Sequence, residues 1–172
     1  MQQRQLKNND RATNKPAPAV RVEHSAGGVV FRRTRQGMLM GFIMDSYRKW
    51  AFPKGRVKKN EELGAAAVRE TREEMGLNKL RLIMPLGTAS IWFKDRYEQP
   101  GTTVHKYISY FLMETAAEEK GKAENKKTGE RVSAIRWVPY HQAAKFASYK
   151  NVQPIVKRVV EYLDQATKNK KM

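Results

Sequence analysis

The sequence predicts an α/β (α+β) domain in which a mixed β-sheet lies between α-helices. Three observations carry this. Short apolar or β-branched runs recur along the chain, a few segments show helical periodicity, and those segments are interspersed among the strands. At 172 residues the chain is sized for one domain with some tail. Apolar residues make up 40% and charged residues 30%, enough for one core and too well patterned for a wholly disordered chain.

Taken in order, residues 1–20 are polar, contain Pro16 and Pro18 and show no periodicity, which predicts a disordered basic arm. His24 to Arg33 reads as a strand entered through the Gly27-Gly28 pair. Met38 to Met44 is a continuous apolar run of strand length, joined to it by a turn at Arg35-Gln36-Gly37. Trp50 to Gly55 is a strand ending in punctuation, since Pro53 cannot donate to a sheet ladder. Asn60 is placed to cap a helix from Glu61 to Met75 with acids in its first turn, and Gly76 stands at the left-handed C-cap position. Leu80 to Phe93 and Thr103 to Glu114 read as strands, the second rich in β-branched and aromatic residues. Between them, Asp95 to Gly101 is a loop marked by Pro100. The charged stretch 115–131 is an exposed loop. Ala134 to Val138 is a further strand, and Tyr140 to Ala147 a short helix. In the helix from Val152 to Ala166, Ile155, Val156, Val159, Val160 and Leu163 form a core-facing stripe. The domain therefore spans 21–166, and 167–172 is a basic tail.

No run approaches the roughly 18 apolar residues needed to span a bilayer, and the N-terminus lacks the apolar segment of a secretory signal. Cysteine is absent, which excludes disulfides and thiolate metal sites. No membrane partner and a cytoplasmic location are the expectation. The net charge of +17 is not confined to the tails: residues 24–145 carry 23 basic and 13 acidic groups. A basic domain implies either solubility alone or a polyanionic partner.

On a helical projection with Glu70 at zero and about 100° per residue, Glu73 falls near roughly 300° and Glu74 near roughly 40°. Val68, Ala67, Thr71, Gly64 and Met75 occupy the neighbouring apolar arc, so the three carboxylates border the buried face. Arg69 lies beside Glu73 at i+4, where it can hold that carboxylate. Three like charges at a core boundary repel one another and cost desolvation. A hard divalent cation relieves both, and oxygen donors on one face suit magnesium, or manganese. The alternative is a solvated Glu/Arg helix with ordinary i,i+4 pairs, and the surrounding Pro-Lys-Gly and loop weigh against it.

The pattern Gly55-x5-Glu61-x7-Arg69-Glu70-x2-Glu73-Glu74-x-Gly76-Leu77 resembles the box of the Nudix hydrolases. Thr71 stands where that family usually has an aliphatic residue, and its methyl suits the apolar arc. The resemblance implies a Nudix fold and attack of water on a nucleoside diphosphate linked to another group. It implies that Glu70, Glu73 and Glu74, with the Gly55 carbonyl, hold Mg2+ or Mn2+. Glu70 is the first choice for ligand and base, while Glu61, Arg69 and Gly76 are structural. Members often add a loop carboxylate before a late strand ending in Trp. Here Trp137 marks that strand, Glu130 is the catalytic candidate, and Glu124 and Glu98 compete with it.

Trp50-x-Phe52-Pro53-Lys54-Gly55 is similar to the diadenosine polyphosphate hydrolase branch, and members that remove oxidised nucleoside triphosphates share it. The usual Pro-Gly before the box glutamate is Lys59-Asn60 here, and the Gly-rich stretch typical of inositol-diphosphate phosphohydrolases is missing. Arg48, Lys49, Lys54, Arg56, Lys58 and Lys59 crowd both sides of the loop and suit a long polyphosphate. His105 and Tyr107 share one strand face with Lys106 opposite, and Tyr107 or Trp92 could stack on a base. A polyphosphorylated nucleotide is the expected substrate. An RNA 5′-end pyrophosphohydrolase, or a basic RNA-binding module on a retained scaffold, stands beside it.

Overall fold

The computed structural model describes residues 20–122 and 132–169. The expectations for the arm before Val20, for Glu124 and Glu130, and for the tail after Asn169 lie outside these residues. Within them, seven strands form one sheet: β1 (Val20–Thr34), β2 (Gly37–Met44), β3 (Trp50–Ala51), β4 (Lys54–Arg56), β5 (Leu80–Lys94), β6 (Thr103–Thr115) and β7 (Ala134–Pro139). The helices are α1 (Leu63–Met75), α2 (Ala143–Phe146) and α3 (Gln153–Lys168). None is long and apolar enough to cross a membrane.

The sheet is mixed because β1 runs parallel to β6, from Val20 opposite Thr103 to Arg32 opposite Thr115, while the other pairings are antiparallel. Alternation along β1 and β6 divides the residues between two layers. Ala26, Val30 and Met113 pack with Ala66, Ala67 and Met75 of α1. Val29, Phe31, Ile108 and Leu112 pack with Ile155, Val156, Val159 and Leu163 of α3. All of these are at most 3% exposed, so the sheet is a filled layer between helices.

Several elements differ from expectation. β1 begins four residues before His24, so Gly27 and Gly28 lie inside the strand and not at its entrance. Close approach explains them: a Cβ on Gly27 would strike the Pro53 carbonyl, and one on Gly28 would strike Thr71 Oγ1. The single strand expected over 50–55 is split into β3 and β4 around Phe52-Pro53, as the missing proline donor requires. Helix α1 starts at Leu63, with Glu62 and not Asn60 at its cap and no acid in its first turn. Asn60 instead adopts a left-handed conformation (φ 61°). Glu61 is drawn out of the helix by its own hydrogen bonds, described below. The other end agrees with expectation: Gly76 has φ 58° and donates its N–H to the Arg72 carbonyl. The segment 140–147 divides into a 3₁₀ turn (Tyr140–Gln142) followed by α2, and α3 continues to Lys168.

Candidate active site

Strand β4 and helix α1 meet at one junction, where Glu61, Arg69, Glu70 and Glu74 are held together. Gly55 pairs with Ala26 on the α1 side of the sheet, and a Cβ there would overlap the Glu70 carboxylate. Glycine is thus required so that the Glu70 head can rest directly against the backbone of β4. One turn later, Glu74 Oε2 accepts the Lys54 N–H at 2.9 Å. Glu70 and Glu74 are only 4% and 3% exposed.

Arg69 organises the loop. Its Nε and one terminal nitrogen donate to the two oxygens of Glu61, each at 2.7 Å, and the second terminal nitrogen donates to Glu70 Oε1 at 2.6 Å. It also reaches the Arg56 carbonyl at 3.1 Å. The expected contact with Glu73 exists but is the weakest, at 3.4 Å. Glu61 further accepts the Lys58 N–H at 2.9 Å. The Arg69 fork, with that backbone donor, holds the Glu61 carboxyl down to about 2. Reciprocally, Glu61 and then Glu70 push the Arg69 guanidinium up despite partial burial.

Glu73 stands outside this pair, with 41% of its side chain exposed. Among the described residues no three His, Asp or Glu side chains converge closely enough to form a ready-made metal cage. What the junction offers is two nearly buried carboxylates on one helical face, a third at its rim and a backbone carbonyl beside them. That is an oxygen-only donor set, which fits a hard divalent ion.

The expected cations are distributed over β4 and the two loops that flank it. The side chains of Lys54 and Arg56 project to the α3 face, where a Cβ on Gly27 would meet Lys54 Cβ at 2.9 Å and where Arg56 pairs with Glu23 at 3.1 Å. Arg56 also pairs with Glu98 at 2.6 Å, so Glu98 acts as its counter-charge. Glu23, 9% exposed, gathers Arg21 at 2.8 Å and Lys106 at 3.0 Å as well. Burial alone would raise its pKa, but Lys106 and the two arginines hold it below the ordinary range. Lys106 is therefore a neighbour of Arg56, a proximity not visible in the sequence because it depends on the β1–β6 register. Lys58 and Lys59 lie exposed in the β4–α1 loop. Arg48 sits in the β2–β3 turn with φ 57°, next to exposed Lys49.

Tyr107 lies on the opposite face of the sheet from Lys54 and Arg56. It belongs to a column of rings: Trp92 stacks on His105 at 3.8 Å, His105 tilts against Tyr107 at 4.2 Å, and Tyr107 stacks on His24 at 5.7 Å. The pairing of Trp92 and His105 on one face agrees with the strand alternation, while His24 joins from β1 across the parallel register. His105 Nε2 is buried with no hydrogen-bond partner among the described residues.

A Gly-containing loop laid against a glutamate-rich helix, in a mixed sheet between helices, defines the class of protein. Residues 22–161 match the NUDIX domain, and the chain belongs to that family. It is 26% identical over 150 residues to a protein called putative mutator protein MutT4 from Mycobacterium tuberculosis, covering 83% of this chain and 56% of that one. The chain thus spans little more than half the length of that relative. An RNA pyrophosphohydrolase of Nitratiruptor is 29% identical over 119 residues, covering 66% of this chain and 72% of the relative. In fold, the chain is similar to a Caenorhabditis elegans Ap4A hydrolase in a binary complex, with TM-score 0.65 and 19% identity over 83% of this chain and 98% of the other.

Proposed function

We propose that the protein hydrolyses a phosphoric-anhydride bond in a polyphosphorylated nucleotide, with a dinucleoside polyphosphate as the first candidate. The observation that carries this reading is the Glu61–Arg69–Glu70 chain locked onto β4, with Glu74 fixed by the Lys54 N–H. Such a network commits Glu61 and Arg69 to orienting the buried Glu70 carboxylate, and a β4 backbone N–H to orienting Glu74. A solvated surface helix has no use for that arrangement.

Glu70, Glu73 and Glu74, with the Gly55 carbonyl, would hold a magnesium or manganese ion. When bound, the ion neutralises anhydride oxygens and lowers the pKa of the attacking water. The chain's own groups do the rest. Arg69 sets the direction of the Glu70 carboxylate, which would accept the water proton. Lys54 and Arg56, which flank Gly55 on β4, would bind the phosphate chain. Arg56 is oriented for this by Glu23 and Glu98.

The test is turnover, with magnesium, of diadenosine tetraphosphate, oxidised dGTP, ADP-ribose, diphosphoinositol phosphates and triphosphorylated RNA. Product masses identify the bond cleaved. Glu73→Gln is expected to lose at least about a hundred-fold in kcat while melting within a few degrees of the parent. Near-normal turnover by that variant removes the assignment of the metal site. The second reading is an RNA 5′-end pyrophosphohydrolase. It is favoured by the similarity to RNA pyrophosphohydrolases and is decided by the RNA arm of the same panel.

A further inference from the structure

Six charged side chains from three strands and one loop meet around Arg56. Among the described residues they are three cations and three anions: Arg21 and Glu23 of β1, Arg56 of β4, Lys106 of β6, and Asp95 and Glu98 from the connection between β5 and β6. The inner acids, Glu23 at 9% and Asp95 at 5% exposed, are clamped by Arg21 and Lys106. The outer pair is Arg56 with Glu98, whose side chains are 56% and 53% exposed. An ion pair so open to water contributes little to stability, and an incoming anion breaks it readily.

The pair is nevertheless positioned from both sides. Asp95 accepts the N–H groups of Tyr97 and Gln99 at 2.9 Å and of Glu98 at 3.2 Å, and it also pairs with Arg21 at 2.7 Å. This turn fixes where the Glu98 side chain leaves the backbone, independently of its contact with Arg56. On the other side, Glu23 Oε1 meets Arg56 Nη2 at 3.1 Å, while Glu98 Oε1 meets Nη1 at 2.6 Å. One nitrogen is thus anchored to a nearly buried acid on a central strand, and the other to an exposed acid on a loop. Taking Glu98 off Nη1 leaves the guanidinium still aimed by Glu23. Arg56 directly follows Gly55, and its own carbonyl accepts Arg69 at 3.1 Å, so it is tied to the junction through the backbone.

A guanidinium edge is what a phosphate oxygen seeks, and here a carboxylate already occupies it. A phosphate must therefore exchange with Glu98, which carries a single charge. The exchange becomes more favourable as the incoming group carries more charge. We propose that Glu98 is a specificity-determining residue: a replaceable counter-charge on Arg56 that yields to a polyphosphate and disfavours less anionic ligands. The proposal rests on the reading of Arg56 as a phosphate ligand. Glu98 acts through Arg56, so it is a positioning residue and takes no part in bond cleavage.

The test is a double-mutant cycle, with Glu98→Gln and Arg56→Gln made singly and together. It is read in steady-state hydrolysis of diadenosine tetraphosphate and ADP-ribose with magnesium. It is read again as calorimetric affinity for inorganic tripolyphosphate and pyrophosphate in EDTA, which needs no turnover. Glu98→Gln is expected to lower KM and Kd by about two- to five-fold, the worth of an exposed pair, with kcat and melting temperature unchanged. The gain should be larger for ADP-ribose and pyrophosphate than for the longer phosphate chains, and it should vanish in the Arg56→Gln background. If Arg56→Gln weakens binding but Glu98→Gln does not strengthen it, the proposal is overturned and Arg56 stands as a ligand. If Arg56→Gln binds like the parent, the reading of Arg56 falls and takes the proposal with it. A gain that persists without Arg56 also overturns the proposal, since Glu98 would then act only through the general field. An equal gain for short and long phosphate chains overturns its role in specificity.

Discussion

At single residues, the junction shows how little freedom the site has. Gly55 has no Cβ because the Glu70 head occupies that space. Gly55→Ala must push β4 from the helix by the width of a methyl group, and a misplacement of that order costs about a hundred-fold in rate. Turnover is therefore expected to collapse while circular dichroism stays unchanged. Glu61 makes a different prediction, in pH. Its carboxyl is held at about 2 against an ordinary 4.5, so the folded state favours its ionised form. The associated stability is complete above about 4.5 and lost as pH falls through about 2. The gap in melting temperature between parent and Glu61→Gln should be constant at neutral pH and close across that acid window. A gap independent of pH from 5 to roughly 2 would show that the Arg69 fork does not hold this proton off.

At the scale of elements, α1 was the most legible part of the sequence and its start the least. The helical projection placed Glu70 and Glu74 at the edge of the buried arc, and both are nearly buried. Thr71 lies fully inside, with its hydroxyl donated to the Ala67 carbonyl at 2.7 Å, so the departure from an aliphatic residue is absorbed locally. The cap was misread because Asn60 and Glu61 fit the composition of a helix start, whereas Glu61 is recruited by Arg69 eight residues on. Propensity cannot register a partner that the fold delivers. The far end obeys local rules, and its prediction is correspondingly simple. Gly76→Ala forces an L-residue into φ 58° and should cost about 1 kcal/mol, read as a lower urea midpoint with unchanged slope.

For the whole molecule, what the sequence concealed is what depends on strand register. The alternation of His105, Lys106 and Tyr107 was readable within β6, but their neighbours were not. His24 reaches Tyr107, and Glu23 reaches Lys106, only because β1 lies parallel to β6. The split of the cations from Tyr107 follows from the same alignment. Tyr107 and Lys54 both look like substrate ligands in the sequence, and the sheet places them on opposite faces.

That alignment also constrains how the chain reaches its native state. Val20 meets Thr103 about eighty positions later, with α1 and β5 threaded between them. During synthesis the N-terminal strand has no central partner until β6 emerges, and the β1–β2 hairpin alone leaves Val29 and Val30 uncovered. Closure of so large a loop is entropically slow. The nascent protein therefore passes through a long interval as an open-edged hairpin with a tethered helix, and this is the stage most exposed to self-association.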